Sequence, residues 1–275
     1  RIPIIPIFIL FSGYTIDRII FNITRKNFFN LAAITFCLTI LCTMFQESPK
    51  MIRIRSNDYG NMGEAFLNRG NLEQAKEAFK KAIKQRFHNF YARINLGKVF
   101  ALEGDRASAA KQLLIAIKIN QNFSQPYANL GTIYAESGRF PEAKKFLFKA
   151  NKLRPNSGDI LFRIGDMYSR MYQHQNAINF LEQSIAKSPN NIRALDLLGI
   201  EYELSGFRDK AIQVLKKAAY INSNNYKTLN NLGVLYQKSG MLKKATTAFK
   251  DSLKANPQFE AALKNLTLVQ NTLKP

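Results

Sequence analysis

The chain has 275 residues and a formal net charge of +21, from 40 Lys and Arg against 19 Asp and Glu. This surplus of positive charge favours an acidic partner or an anionic surface. The two histidines, His88 and His174, and the two cysteines form no pattern typical of a metal ligand set or a catalytic relay, so we expect no metal site, no cofactor and no catalytic residue.

The amino-terminal part is interpreted as a membrane anchor. The chain begins at Arg1 rather than methionine, so residues 1–26 are either a native segment, a leader or part of a fragment. No charged residue occurs from Asn27 to Gln46, and twenty helical residues span about 30 Å, the thickness of a bilayer core. We predict one transmembrane helix at 27–46, followed by a linker at 47–55. A cleaved signal peptide fits less well, because no small-x-small cleavage site follows the apolar run.

Few charges determine the orientation of this predicted span. Close to the span, the basic residues on the two sides are balanced three against three, so the positive-inside comparison does not decide; they are Arg18, Arg25 and Lys26 before it and Lys50, Arg53 and Arg55 after it. The pair Arg25 and Lys26 directly precedes the apolar run, which favours the remainder of the chain on the exported, periplasmic side. The cytoplasmic face stays open as the alternative. Cys37 and Cys42 lie inside the apolar run, where a structural disulfide is not expected.

From residue 56 onward the chain repeats every 34 residues. The same position in six successive blocks is occupied by Gly63, Gly97, Gly131, Gly165, Gly199 and Gly233. A fixed period in this range is typical of a solenoid of helix pairs, in which each unit buries its apolar face against its neighbours. The six predicted units are 56–89, 90–123, 124–157, 158–191, 192–225 and 226–259.

Within each unit, numbered from 1 at Ser56 in the first, the apolar pattern predicts two helices. Positions 4, 7, 8 and 11 form one stripe on a first helix, and positions 20, 24 and 27 alternate small and bulky side chains on a second. Position 15 is glycine in five units, where the first helix must stop. The fourth unit has Tyr172 there, and we expect a distorted turn between Tyr168 and Gln175. Proline ends three of the second helices at position 32.

Positions 8, 11, 20, 24, 27 and 32 together resemble the tetratricopeptide repeat over residues 56–259. The resemblance implies an all-α fold, a right-handed superhelical solenoid of helix-turn-helix repeats. Arg93 departs from the family pattern, because it replaces a large apolar residue at position 4. Residues 260–275 repeat the first-helix stripe without its glycine, which predicts a capping helix and tail.

The resemblance also implies that positions 2, 5, 6, 9, 12 and 13 face a concave groove that binds a peptide. Position 6 offers an asparagine ladder, in which each side-chain amide can both donate to and accept from an extended backbone. In the fourth to sixth units, apolar side chains flanked by basic ones predict a pocket for a hydrophobic and acidic peptide. The predicted groove residues are Asn61, Asn95, Asn129, Asn231, Phe162, Arg163, Arg170, Arg193, Leu197, Ile200, Leu204 and Lys227.

The second helices carry many lysines, in a region with 33 Lys and Arg against 17 Asp and Glu over residues 56–275. Two explanations stay open, a field that attracts an anionic partner or a solvated face that reflects compositional bias. Nucleic acid is not expected, since arginine and aromatic residues do not alternate as in a stacking platform. The lysine and asparagine clamp for chaperone tails is absent, because positions 5 and 9 of the first unit are Gly60 and Glu64.

These features predict a membrane-anchored scaffold, not an enzyme, that holds a protein or peptide partner in its groove. Among proteins with this repeat, we favour a resemblance to membrane-tethered factors that assemble envelope complexes and pili. The alternative is that the chain is a fragment, the substrate-recognition arm of a larger glycosyltransferase. The final Leu-Lys-Pro after the capping helix favours a true carboxyl terminus over that alternative.

Overall fold

A computed structural model describes Thr35, Phe36, Thr39 and residues 49–273, with side chains described over 56–272. The predicted transmembrane helix at 27–46, apart from those three residues, and the segment 1–26 lie outside this described part. No helix among the described residues has the length and apolar character needed to cross a bilayer. Residues Ser56–Pro275 form one compact unit and Arg1–Arg55 another. This boundary coincides with the start of the first predicted repeat.

Residues 49–273 form thirteen helices, and the described residues contain no strand. The predicted all-α solenoid of helix pairs is confirmed. The helices are α1 (Pro49–Asn68), α2 (Leu72–Gln85), α3 (Phe90–Leu102), α4 (Arg106–Ile119), α5 (Ser124–Glu136), α6 (Phe140–Leu153), α7 (Gly158–Arg170), α8 (His174–Lys187), α9 (Ile192–Leu204), α10 (Arg208–Ile221), α11 (Tyr226–Lys238), α12 (Leu242–Ala255) and α13 (Glu260–Leu273). Because α1 begins at Pro49, most of the predicted linker at 47–55 is helical.

The core lies between the two helices of each unit and the first helix of the next. At positions 20, 24 and 27 every side chain of the six units is at most 1% exposed. The glycine at position 8 permits this close packing: a Cβ atom at Gly131 would lie 2.7 Å from Cγ of Leu147 and 3.1 Å from its backbone nitrogen. Met62 at position 7 is 47% exposed, whereas its equivalents are buried. The predicted core role of Met62 is wrong, because position 7 packs on the preceding unit and the first unit has none.

The turn at Tyr172 is not distorted, contrary to our expectation. Tyr172 adopts φ = 56°, in the left-handed region that the glycines at position 15 also occupy. Its backbone N–H donates to Ser169 O at 2.9 Å, and the N–H of Gln173 donates to Tyr168 O at 3.0 Å, as in the glycine turns. The hydrogen bonds that close the helix therefore hold a tyrosine in a conformation that costs a residue with a Cβ atom about 1–2 kcal/mol.

Arg93, the departure at position 4, is buried in the second unit, where its side chain makes three hydrogen bonds. Its guanidinium donates to the carbonyl of Phe87 at 3.1 and 3.2 Å and to Oε1 of Gln112 at 3.0 Å. The same guanidinium lies 4.5 Å from the centre of the Phe87 ring. Burial lowers the pKa of Arg93. Phe87, which replaces the usual proline at position 32, thus supplies both the carbonyl and the ring that accommodate this charge.

The first helices form the inner layer of the compact unit. The neighbouring pairs α3 and α5, α5 and α7, α7 and α9, and α11 and α13 pack on each other more closely than neighbouring second helices do. A stack of this kind curves toward its first helices, which places them on the concave side. The helix α13 closes the carboxyl-terminal end, where Leu266 and Val269 pack on Ala245 and Phe249.

Candidate functional site: a groove of three clefts

Three clefts lie along the first helices, and their lining changes in chemical character from one end of the stack to the other. The amino-terminal cleft, of 280 Å³, lies between α1 and α3. The central cleft, of 560 Å³, lies between α5 and α7 and includes the loop after α6. The apolar cleft, of 210 Å³, lies between α9 and α11. The asparagines of position 6 contribute to all three.

The amino-terminal cleft is polar and contains one carboxylate. Asn61 and Asn95 line it together with Glu64 and the exposed ring of Tyr91. The side-chain amide of Asn95 donates to Oε1 of Glu64 at 2.8 Å, so this amide is already engaged within the groove. A cleft with this lining suits a neutral or basic segment better than an acidic one.

The central cleft brings Asn129 and Arg163 together and has a surplus cation. Arg163 donates to Oδ2 of Asp159 at 2.8 Å and to Oγ1 of Thr132 at 2.9 Å, which fixes the guanidinium across two units. Arg154 also lines the cleft, and its side chain is exposed. Because Asp159 offsets only one of the two arginines, the cleft carries a local excess of positive charge.

The apolar cleft is formed by aliphatic side chains with a charged rim. Ile200 is 42% exposed and Leu204 is 60% exposed, and both face Val234 and Leu235 of the next unit. Asn231 completes the lining on the same side. An exposed pair of large aliphatic residues opposite two others forms a surface that an apolar side chain of a partner could cover.

Two cations share one carboxylate at the rim of the apolar cleft. Glu203 accepts from Nε of Arg208 at 3.0 Å and from Nζ of Lys238 at 3.0 Å. The Arg208 guanidinium, followed by Lys238, lowers the pKa of Glu203 below its ordinary value. Because Lys238 belongs to the sixth unit and the other two residues to the fifth, this ion pair network also joins the two units. The neighbouring Asp209 also acts on the Arg208 charge, so two cations and two carboxylates lie at this rim.

Two residues predicted to be exposed in the groove belong instead to the core. Phe162 is 6% exposed, and the Arg193 guanidinium covers its ring at 4.7 Å. Leu197 is half-buried and packs on the main hydrophobic cluster. The sequence pattern places Leu197 on a stripe that the core does not need, next to Phe162, but in the structure both side chains belong to the main hydrophobic cluster. They therefore support the groove from below rather than line it.

The remaining predicted basic residues lie at the surface and differ in whether a carboxylate offsets their charge. Arg170 donates to Oδ2 of Asp166 at 2.8 Å, so its charge is offset. Lys227 is exposed, with its ammonium 5.8 Å from the centre of the Tyr226 ring. Of the predicted groove set, Asn129 and Arg163 meet in the central cleft, and Ile200, Leu204 and Asn231 meet in the apolar cleft. No single cleft contains all of them.

A buried carboxylate that the sequence did not reveal lies between the fourth and fifth units. Glu201 is 1% exposed and accepts from the Ser169 hydroxyl at 2.6 Å, with Nδ1 of His174 at 2.8 Å from its other oxygen. The serine donates to the glutamate and not to the imidazole, so the arrangement does not activate a nucleophile. It joins α7, α8 and α9.

The sequence also missed Val234, Leu235 and Lys238, which complete the apolar cleft. A signal was present, because Val234 and Lys238 occupy positions 9 and 13, which the family resemblance directs into the groove. Leu235, at position 10, is 4% exposed and had no such signal.

Comparison with known proteins assigns the repeats to a family. Models of the tetratricopeptide repeat match residues 61–123, 124–157, 159–191 and 226–259, together more than half of the chain. The comparison with curated protein sequences gives no match.

Solved structures show the same fold at low sequence identity. The APC/C hetero-tetramer Cut9–Hcn1 matches with a TM-score of 0.70 and 20% identity over 81% of this chain, which spans only 46% of that protein. Pseudomonas aeruginosa PilF matches with a TM-score of 0.67 and 20% identity, over 79% of this chain and 99% of its own. PilW, a type IV pilus biogenesis factor, matches with a TM-score of 0.68 and 18% identity, over 78% and 98%. From its six helix pairs and the matching family models, the chain belongs to the tetratricopeptide repeat family.

Proposed function

We propose that this protein is a membrane-anchored adaptor that binds an extended, partly apolar and acidic segment of a partner protein along its first helices. Binding occurs by adsorption onto a preformed surface, and no covalent bond is made or broken. The anchor is the uncharged run at 27–46, with the repeats on the exported side. Residues Asn129 and Arg163 in the central cleft and Ile200, Leu204 and Asn231 in the apolar cleft make the main contacts.

The apolar cleft is the observation that carries this proposal. Ile200 and Leu204 are 42% and 60% exposed and lie together in one cleft, whereas the other comparably exposed leucines line none of the three clefts. The central cleft has one cation more than its carboxylate offsets. An apolar side chain next to a carboxylate in the partner satisfies both features, since buried apolar contacts supply affinity and complementary charge supplies orientation.

The solved structures suggest the cellular setting. PilF and PilW have the same fold over almost their whole length, and PilW is described as a pilus biogenesis factor. An assembly factor for an envelope or pilus-type complex requires a peptide groove near a membrane. We therefore infer an assembly role for this chain, although identity near 20% supports only the shared fold.

Peptide selection tests the groove. Displayed random peptides should be selected by the wild-type chain for an apolar residue near Asp or Glu. The selected peptides should bind the double variant Ile200→Ser, Leu204→Ser at least about tenfold more weakly, because each buried aliphatic side chain contributes about 1.5–3 kcal/mol. Leu114→Ser is the matched control, since Leu114 is 40% exposed but lies on α4, a second helix.

Equal binding by the double variant, with unchanged helical circular dichroism, would exclude the apolar cleft as the site.

The membrane anchor is tested separately, in membranes of cells that express the full chain. Alkaline carbonate should leave the full chain in the membrane pellet, and its release into the supernatant would reject the anchor without affecting the groove.

A further inference from the structure

The outer surface of the first three units carries lysines that the groove does not use. Positions 22, 26 and 29 of each second helix lie on the side opposite to the buried positions 20, 24 and 27, by the 3.6-residue period. On α2, α4 and α6 these outer positions hold seven exposed lysines, which we name the lysine band. The lysine band consists of Lys81, Lys84, Lys111, Lys118, Lys145, Lys149 and Lys152.

One carboxylate lies among the outer positions, Glu77 at position 22 of α2, and its charge acts on the band lysine Lys81. The three acidic residues of α2 and α6 each pair with a cation outside the band, and α4 has no acidic residue. These ion pairs are Glu73–Lys76, Glu77–Lys80 and Glu142–Arg139. Over the part of the chain with described side chains, no band lysine forms an ion pair. Apart from the action of Glu77 on Lys81, the charge of the band therefore acts on the solvent without internal compensation.

The lysine band ends at the fourth unit. The equivalent outer positions of α8 are Asn179, Gln183 and Ala186, which carry no charge. A uniform compositional bias toward lysine would fill these positions as well. The concentration of charge on three successive units, which repeat the same orientation with a small rotation, instead marks one continuous surface.

The form of this surface favours an extended anionic plane over a discrete ligand. None of the three clefts is lined by a band lysine. The lysine ammonium is a point charge without the planar fork by which arginine recognises a single phosphate group. No aromatic residue occupies the outer positions of α2, α4 or α6, so a platform for stacking nucleobases is missing.

We propose that the lysine band docks onto the anionic headgroups of a lipid bilayer and holds the first three units against the membrane surface. Each lysine near such a surface strengthens binding by about fivefold, with screening by salt. The inference depends on charge alone, and not on the peptide groove. It is also independent of residues 27–46, although an anchor there would raise the local concentration of the band at the bilayer.

Lysine labelling on vesicles tests the docking site by site. The full chain is bound to vesicles of phosphatidylcholine alone or of phosphatidylcholine with phosphatidylglycerol, treated with an amine-reactive reagent and analysed by mass spectrometry. Lys84, Lys118 and Lys152 should label several-fold more slowly on the anionic vesicles than on the neutral ones. Lys187, Lys243 and Lys264, exposed lysines outside the band, should label at equal rates on both. Salt at about 1 M, which reduces the screening length to about 3 Å, should remove the protection.

Matched variants give a second measurement with the same change in net charge. The triple variant Lys84→Gln, Lys118→Gln, Lys152→Gln should lose about tenfold or more of the affinity gained from anionic lipid. The control triple variant Lys187→Gln, Lys243→Gln, Lys264→Gln should retain most of it. Glutamine has nearly the helix propensity of lysine, so both variants should fold.

Two results would overturn the proposal. One is equal labelling of band and control lysines on both kinds of vesicle. The other is protection of the band by duplex DNA or by polyglutamate but not by anionic vesicles, which would assign the surface to nucleic acid or to an acidic protein. Either result leaves the apolar cleft untouched, because its residues lie on the first helices.

Discussion

At the residue scale, backbone geometry at the turns shows what a single side chain changes in this fold. Five units place glycine at position 15 with φ between 71° and 84°, and the fourth places Tyr172 in the same region. The tyrosine is 82% exposed, so its ring adds little packing to offset the strain. The turn keeps its geometry because the surrounding hydrogen bonds determine it.

Replacing Tyr172 by glycine should therefore stabilise the protein. The left-handed conformation costs a non-glycine residue about 1–2 kcal/mol, which the glycine variant avoids. Glycine loses more backbone entropy on folding, which lowers the stability of the variant by roughly 0.5–1 kcal/mol. We expect the free energy of unfolding, measured by urea titration, to rise by about 0.5–1 kcal/mol. Tyr220→Gly is the control, since Tyr220 is 91% exposed inside the right-handed helix α10, and it should give no increase. A loss of stability in Tyr172→Gly would mean that the tyrosine ring makes contacts that compensate for its strain.

At the element scale, neighbouring units are joined by polar contacts in addition to apolar packing. Glu203 on α9 connects Arg208 on α10 with Lys238 on α11. Beside it, Asp196 accepts from the Thr228 hydroxyl at 2.7 Å, and burial raises the pKa of this carboxyl. Both contacts cross from the fifth unit to the sixth, next to the apolar cleft. The geometry of that cleft therefore depends on how firmly these two units are held together.

The Glu203 network should make the junction sensitive to acid. Its lowered pKa means that the folded state favours the carboxylate, so its stabilisation is complete above the ordinary value of 4.5 and is lost as the pH falls through the lower folded value. Glu203→Gln should be less stable than wild type at neutral pH, by about 1 kcal/mol or less. The two proteins should converge in acid.

Urea titrations at several pH values measure this convergence. A matched control is Glu136→Gln, which removes an exposed carboxylate for which no ion pair is seen among the described side chains. That variant should follow wild type at every pH. A constant difference between Glu203→Gln and wild type from neutral pH into acid would show that the loss comes from packing and not from charge.

At the scale of the whole molecule, the stack holds together through nearest-neighbour contacts and needs closed ends. At the carboxyl-terminal end, Val269 of α13 is fully buried against Ala245 and Phe249. Leu268, the adjacent residue, is 55% exposed on the outer side of the same helix. The capping role predicted from the stripe at 260–275 thus corresponds to a helix, α13, with one buried face and one solvent-exposed face.

Removing the buried contact should loosen the last unit before the rest of the stack. Val269→Ala should lower the free energy of unfolding by about 1–3 kcal/mol, because it deletes buried methyl groups and leaves a cavity. Amide hydrogen exchange should rise first in α12, since stability in a repeat array is local. Leu268→Ala should change both measurements little, within about 0.5 kcal/mol. Uniform acceleration of exchange across all helices would instead show that the stack unfolds as one cooperative block.

The repeat period alone determined most of the fold. The glycine at position 8 and the alanine at position 20 recur in every unit. A unit of this length buries both residues when it folds as a helix pair. The helix pairs, most of the buried stripe and the capping helix follow from local spacing, but the start of α1 at Pro49 and the exposure of Met62 do not. Tyr172 was the local exception, because a turn held by its neighbours can impose a conformation that the residue itself disfavours.

Only the tertiary structure decided which side chains of the groove remain available. The pattern within their own units predicts exposed side chains for Phe162 and Leu197. In the structure, Arg193 covers the Phe162 ring, and Leu197 packs on the main hydrophobic cluster. The apolar cleft, the shared carboxylate of Glu203 and the buried Glu201 all form between units, from residues about 30 positions apart in the chain. Periodicity specifies how each unit folds, but the rotation between units determines which of their side chains meet.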